Sequence, residues 1–228
     1  VCVYVVAASP PASTAAQVWG QCCNVQRGCV GVVGVPSCTS LGAPLTARSD
    51  LAYGCCCAAL DDCQKKLEKI HGVPQDESGQ TVSPVVLALG KLGGRELNFS
   101  SDIDLIFCFT AAGETSGPRR ISNEEFFGKL VADFTRLLAE RTADGFVFRV
   151  DWMLRPFGSA GPAAISVVAM EEYYQSHGRE WERYALIKAR PVAGDIEAGA
   201  RLLKSLRPFV YRRYLDFNAV GHLRELKQ

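Results

Sequence analysis

Asp102 and Asp104, two positions apart in the run Ser100-Ser101-Asp102-Ile103-Asp104, are the residues of this 228-residue chain whose type and spacing most readily suggest chemistry. On a strand, residues i and i+2 share a face about 6.5 to 7 Å apart, so the two carboxylates would project side by side. Like charges held that way are unfavourable and call for a cation. Asp151, in Phe148-Arg149-Val150-Asp151, offers a third carboxylate. It is expected on a neighbouring antiparallel strand with its side chain toward the same face, which would complete a pocket of hard oxygen donors suited to Mg2+. Two such ions roughly 3.5 to 4 Å apart can activate an attacking oxygen and stabilise the leaving oxygen of a displacement at phosphorus. Gly93 and Gly94 provide backbone without side chains that can approach phosphate oxygens closely, ideally at a helix N-terminus. Ser100 and Ser101 add hydroxyls beside the carboxylates. Taken singly, each part has a plainer reading: a D-x-D is often a solvated edge or turn, and a Gly-Gly pair is often only a tight turn.

The elements that must position these residues are read from periodicity. Ser49 to His71 lacks proline and places Leu51, Cys55, Leu60, Leu67 and Ile70 at helical spacing, which predicts a helix capped by Ser49 and stopped by Gly72 and Pro74. Val85 to Gly90 reads as a buried strand, followed by the glycine turn and a short helix, and Ile103 to Thr110 as a second strand. Ser122 and Glu125 form a capping box ahead of an apolar face of Phe126, Phe127, Leu130, Val131, Phe134, Leu137 and Leu138. Phe146 to Asp151 alternates, with Val147, Arg149 and Asp151 on the polar side of a half-exposed strand. Beyond Pro156 the chain is expected to be mostly helical, over about 170–177, 179–189, 196–206 and from about Phe217.

Composition narrows the function classes. A formal net charge of +1 leaves no basic field for a long polyanion, so a nucleic-acid-coating role is excluded. No apolar run approaches the roughly 18 residues that span a bilayer, so no membrane partner is expected. Residues 1–45 carry one charged residue, Arg27, and nine of the ten cysteines fall at or before Cys63. With no C-x-x-C pair and with Cys55, Cys56 and Cys57 adjacent, the expectation is small or unpaired thiols rather than a metal cluster. The opening stretch has neither a starting Met nor a basic segment and is not read as a signal peptide, so a reducing cytoplasm is the expected location. The division expected is 1–45 unassigned, with an artefactual or disordered front end; 46–168 as the domain holding the carboxylates; and 169–228 as a helical extension cut short at Gln228.

The ordered set of strand, Gly-Gly turn, short helix, Ser-Asp-x-Asp strand, helix and strand ending in Asp resembles the nucleotidyltransferase fold of the DNA polymerase β superfamily, an α+β class with a mixed sheet and flanking helices. More closely, GKLGGRELNFSSDIDLIF, DGFVFRVDWMLRPFGSAGP, EEYYQSHGREWERYALIKARPVAGD and LRPFVYRRYLDF resemble the bifunctional glutamine synthetase adenylyltransferase and adenylyl-removing enzymes, over about residues 46 to 228. Within that family the likeness is to the first of two nucleotidyltransferase domains. It implies an enzyme in which phosphate attacks the adenylyl-tyrosine of glutamine synthetase, releasing ADP, with Mg2+ as cofactor. It implies Asp102, Asp104 and Asp151 as metal-binding carboxylates, and Gly93, Gly94 and Ser101 as the phosphate-cradling turn. Lys188 and Arg190, read as helix residues, and Arg155 are the candidates for holding phosphate or the adenylyl group. The resemblance also implies control by PII-type signalling proteins. Met153 stands where the family commonly has an arginine, which removes one cation near the third carboxylate.

The same carboxylates would serve adenylylation from ATP, and a non-catalytic nucleotide-sensing fragment is the reading from a different class. Trp181 and Tyr184 are expected in the core stripe of their helix rather than as a stacking platform. His177 and His222 receive no role, and Arg212 and Arg213 are read as a solvated face.

Overall fold

The computed structural model describes residues 42–142 and 145–211. Helix α1 (Gly42–His71) is followed by β1 (Pro74–Gln75), β2 (Pro84–Ala88), the short α2 (Gly90–Gly93), β3 (Ile103–Phe109) and β4 (Glu114–Thr115). Then come α3 (Asn123–Ala139), β5 (Val150–Asp151), β6 (Ala164–Ser166), α4 (Val167–Ser176), α5 (Glu180–Leu186), β7 (Arg190–Gly194), α6 (Ile196–Ser205) and α7 (Arg207–Val210). The readings for residues 1–41, for the segment from about Phe217 and for His222, Arg212 and Arg213 lie outside the described residues.

Five strands form one mixed sheet in the order β5-β3-β2-β7, with β6 also pairing β3. β2 is antiparallel to both β3 and β7, whereas β5 and β6 run parallel to β3. Every residue of β2 is buried, and in β3 only Asp104 is not fully so. One face of the sheet, with Val86, Ala88, Leu105, Phe107 and Phe109, packs on α1 and α3. The other, with Val85, Leu87, Ile106 and Cys108, packs on α4, α5 and α6 through Met170, Tyr174, Leu186, Leu202 and Leu206. The result is an α+β domain, a mixed sheet between two helical layers, consistent with a nucleotidyltransferase-like fold.

Several local expectations are corrected. The first helix begins at Gly42, upstream of the start expected at Ser49, which lies inside it. Its buried hydroxyl donates to the Leu45 carbonyl at 2.9 Å and accepts from the Leu97 N–H at 3.1 Å, so it ties the helix to the loop after α2 and does not cap it. Gly72 stops the helix at φ +84°, where a Cβ would sit 2.1 Å from the Gly117 nitrogen. Ser122 does cap α3, accepting from the Glu125 N–H at 3.2 Å.

The alternation read over 146–151 is limited to two strand residues. Val147 and Phe148 are both buried because their successive amides donate to the Leu138 carbonyl, wrapping the chain around the end of α3. β5 runs parallel to β3, not antiparallel, because α3 crosses over between them and returns the chain to the same end of the sheet. The tail expected to be helical contributes β7. The register Val85↔Gly194, Val86↔Ala193, Leu87↔Pro191 and Ala88↔Arg190 places it in the central sheet beside β2. Arg190 therefore opens a strand and Lys188 sits in the turn before it, neither being helical. In α5 the buried positions are Glu182, Arg183 and Leu186, whereas Trp181 and Tyr184 are only half-buried and do not form a core stripe.

Candidate active site

Asp104 is the second residue of β3 and shares a face with Ile106 and Cys108, by the two-residue period of a strand. The parallel register pairs it with Asp151, so two carboxylates stand on adjacent strands at the same end of the sheet. Asp104 is half-buried, and burial raises its pKa above the ordinary carboxylate value. The charge of Asp151, then that of Asp102, raises it further, while Lys91 works in the opposite direction. Asp151 accepts a 2.7 Å hydrogen bond from the Met153 N–H, which fixes the turn leaving β5; the Met153 side chain is exposed.

Gly90 forms the wall opposite Asp104. It has φ +53°, and a Cβ there would lie 2.4 Å from Asp104 Oδ2, so backbone closes on the carboxylate where no other residue would allow it. The other two glycines do something different. The Gly93 and Gly94 amides donate to the carbonyls of Leu89 and Gly90, at 2.8 and 3.1 Å, within the turn of α2. They lie at the C-terminal end of that helix, not at its N-terminus. A Cβ on Gly93 would stand 2.2 Å from the Lys188 carbonyl oxygen and 2.7 Å from that of Ala88, so Gly93 is the place where the segment before β7 crosses α2.

Among the remaining candidates, Ser101 Oγ accepts from Lys91 Nζ at 2.9 Å. Lys188 Nζ pairs with Glu96. Arg190 donates to the Gly93 carbonyl at 2.5 Å and lies over the Tyr53 ring, 5.8 Å from its centroid. Arg155 is folded onto its own loop, donating to the carbonyl of Trp152 at 2.9 Å and more loosely to those of Ser159 and Gly161. His177 stacks on Tyr173 at 6.1 Å between ring centroids.

Asp102 is turned to a partner that sequence reading did not assign. Its Oδ1 accepts from Arg149 Nε, and the same guanidinium donates to the Ser100 carbonyl at 2.7 Å. Arg149 was findable, since it lies two residues before Asp151 on the same side of the alternating run. Gly90 was read as the end of the strand over 85–90, whereas β2 stops at Ala88 and Gly90 opens α2. With Asp102 engaged in this way, no group of three or more His, Cys, Asp or Glu side chains among the described residues is gathered closely enough to hold a metal ion. The register sets Asp104 and Asp151 side by side on β3 and β5, and Asp102 is paired with Arg149. Cys55, Cys56 and Cys63 are buried and Cys57 is exposed. A cavity of about 520 Å3 lined by Gln75, Asp76, Glu114 and Arg120 lies along β1 and β4 and includes none of these residues. No described helix is long and apolar enough to cross a membrane.

A mixed sheet flanked by helices, with paired aspartates on the inner strand β3 and the edge strand β5 and a tight glycine turn facing Asp104, is consistent with a nucleotidyltransferase-like domain. Residues 33–205 match the sequence model of the glutamate-ammonia ligase adenylyltransferase family. The chain belongs to that family, and the match reaches upstream of residue 46, where the resemblance was read to begin. It is 56% identical over 179 residues to the bifunctional glutamine synthetase adenylyltransferase/adenylyl-removing enzyme of Thioalkalivibrio sulfidiphilus, covering 78% of this chain and 18% of that protein. It is 55% identical over 183 residues to the protein of the same name from Stenotrophomonas maltophilia strain R551-3, covering 80% and 20%. The Nitrosococcus oceani protein of that name is 55% identical over 181 residues, covering 78% and 19%. The chain thus spans about a fifth of the length of these relatives.

Proposed function

We propose that this chain is a metal-dependent nucleotidyltransferase domain that removes AMP from an adenylyl-tyrosine of glutamine synthetase by phosphorolysis. The observation that carries the reading is the parallel pairing of Asp104 with Asp151 behind Gly90. Two carboxylates held together in a half-buried place raise each other's energy when ionised, and a divalent cation is the economical remedy. The relatives' names carry both an adenylyltransferase and an adenylyl-removing activity, and the likeness of this sequence to the first of the family's two nucleotidyltransferase domains is what favours removal.

The donor set fits Mg2+ in kind, all hard carboxylate oxygens, with Asp104 and Asp151 as first holders and Asp102 joining if it leaves Arg149. When bound, such an ion would neutralise charge on the phosphoryl group and assist the leaving oxygen. The chain's own residues then orient the reactants. An oxygen of inorganic phosphate attacks the AMP phosphorus, the bond from phosphorus to the tyrosine oxygen breaks, the tyrosine oxygen takes up a proton, and ADP leaves. Ser101 with Lys91 lines the mouth of the site beside the carboxylates. Lys188 is the cation best able to meet an incoming phosphate, because its Glu96 partner is half-exposed and exchangeable, whereas Arg155 and Arg190 are committed to backbone carbonyls. Gly93 and Gly94 act by shape, letting the Lys188 segment lie against α2.

The test is incubation of the chain with adenylylated glutamine synthetase, Mg2+ and phosphate. ADP release that is lost in Asp104→Asn supports the proposal. AMP incorporation from ATP into the unmodified target would replace it with the adenylylating reaction. Mg2+-dependent nucleotide binding without turnover would replace it with the sensing role. A PII-type protein belongs to the same proposal as a regulator, recognised by a change in ADP release on its addition.

A further inference from the structure

Glu182, the third residue of α5, is the only carboxylate among the described residues that is almost wholly buried, at 1% exposure, and the reaction as drawn makes no use of it. Taking such a group out of water is costly unless good hydrogen bonds replace the lost solvation. Glu182 has two. One oxygen accepts from the Arg179 N–H at 2.7 Å and caps α5, and the other accepts from the buried Tyr173 hydroxyl of α4 at 2.8 Å. The same hydroxyl takes a hydrogen bond from the Phe157 N–H, and the Phe157 ring meets the Tyr173 ring edge-on at 4.5 Å between centroids. Phe157 holds a left-handed backbone, φ +63°, which a residue other than glycine seldom adopts without support from its surroundings.

The two ends of this chain of contacts lead to the candidate site from different directions. Phe157 belongs to the loop that leaves Asp151, and that loop is tied to itself. Asp151 accepts from the Met153 N–H, Arg155 donates to the carbonyls of Trp152 and Gly161, and a Cβ on Gly161 would stand 2.1 Å from the Pro156 carbonyl oxygen. At the other end, α5 finishes at Leu186, two residues before Lys188, whose carbonyl lies against Gly93. The bond between Tyr173 and Glu182 therefore joins the segment carrying Asp151 to the segment carrying Lys188.

We propose that Glu182 and Tyr173 are positioning residues, a buried strut that sets the loop after Asp151 against the segment before β7. The inference rests on the phosphorolytic reading above. Neither side chain touches the reactants; one end acts through Phe157 and the other through the approach to Lys188. A buried charge is a weak source of net stability, so what the strut supplies is placement, and small losses of placement are felt in turnover.

The variants that test it are Tyr173→Phe, Glu182→Gln and the two combined. Tyr173→Phe keeps the ring against Phe157 and loses only the hydroxyl. Glu182→Gln keeps an oxygen for the Arg179 N–H but turns an amide donor to Tyr173, where an acceptor is needed. Tyr174→Phe is the control, because the Tyr174 hydroxyl is buried with no hydrogen-bond partner among the described residues. In hydrogen–deuterium exchange of the intact chain, amides over 152–161 are expected to exchange faster in the three strut variants, while those of β2 and β3 stay at the parent's level. With adenylylated glutamine synthetase, Mg2+ and phosphate, kcat for ADP release is expected to fall about five- to twentyfold, with KM for adenylylated glutamine synthetase held within about twofold. The combined variant is expected to be no worse than the poorer single one, as for two ends of one bond. Unchanged exchange over 152–161, unchanged kcat in the strut variants, or an equal loss in Tyr174→Phe overturns the strut and leaves phosphorolysis standing. Exchange that quickens throughout the sheet together with a lowered melting temperature does the same, since it marks a merely structural bond. A parent chain that releases no ADP overturns the reading of the reaction and the positioning role with it.

Discussion

At the residue scale, the site holds a carboxylate in a place that penalises its charge, and that penalty has measurable consequences. Burial, then Asp151, then Asp102 push the folded-state pKa of Asp104 above its unfolded value. The ionised form is thus disfavoured in the folded chain. Its cost is absent below the unfolded pKa and fully present once pH has risen above the raised folded pKa. Like charges directly opposed on neighbouring strands cost on the order of 0.2 to 1 kcal/mol. In metal-free buffer at neutral pH, Asp104→Asn is therefore expected to unfold at higher urea than the parent, by about that amount. The advantage should shrink as pH falls through the carboxylate range, because the parent's carboxyl becomes neutral too. Added Mg2+ should reverse the order by stabilising only the chain that can bind it. A parent that is more stable than the variant at neutral pH without metal would contradict this account of the pair.

At the element scale, the glycines separate into those that a neighbour demands and those that nothing demands. Gly93 is met by two backbone oxygens, which cannot swing away, so Gly93→Ala must move the segment before β7 off α2. Overpacking of this kind costs about 1 to 3 kcal/mol, and a loss of that size in chemical denaturation is expected. Gly128 lies within α3 with nothing within 4 Å of a Cβ placed there. Alanine is favoured over glycine in a helix interior by roughly 1 kcal/mol, so Gly128→Ala should gain stability on the same assay. The two substitutions are chemically identical, and only tertiary placement sets their sign. This is also where sequence reading reached its limit. α1 and α3 were legible from an apolar helical spacing, and β2 and β3 from short continuous apolar runs. The direction of β5 was not, because parallel or antiparallel pairing depends on where the crossover helix returns the chain. β7 was hidden by its shortness and by an apolar helix on either side. Its clue was Pro191, which disfavours helix at Arg190 and marks the end of α5. Of the site, the aspartates were visible as a spacing, while the hold of Arg149 on Asp102 and the wall made by Gly90 exist only once strands are paired.

At the scale of the whole molecule, the sheet is closed by a segment about a hundred residues downstream of the strand it covers. β7 supplies the outer partner of β2, and α6 behind it buries Ala198, Leu202 and Leu206 against Val85 and Leu87. Val192 and Ala193 of the same strand belong to the opposite core. Fully burying a leucine or valine contributes about 1.5 to 3 kcal/mol, so Val192, Leu202 and Leu206 together represent roughly 5 to 9 kcal/mol before the entropy of ordering them is counted. That gross figure is comparable to the net stability of a whole domain, about 5 to 15 kcal/mol. Ending the chain at Ala189 would also expose the five-residue apolar strand Pro84–Ala88 as an unpaired edge, a template for association. It would remove the Arg190 bond to Gly93 that braces α2, and with it the support of Gly90 against Asp104. The shortened chain keeps all three aspartates, yet it is expected to lose cooperative unfolding, to associate on size-exclusion chromatography, and to exchange the amides of β2 quickly in hydrogen–deuterium exchange. Protected β2 amides in a monomeric chain ending at Ala189 would show that the sheet stands without its last strand, and that 169–228 is an appendage after all.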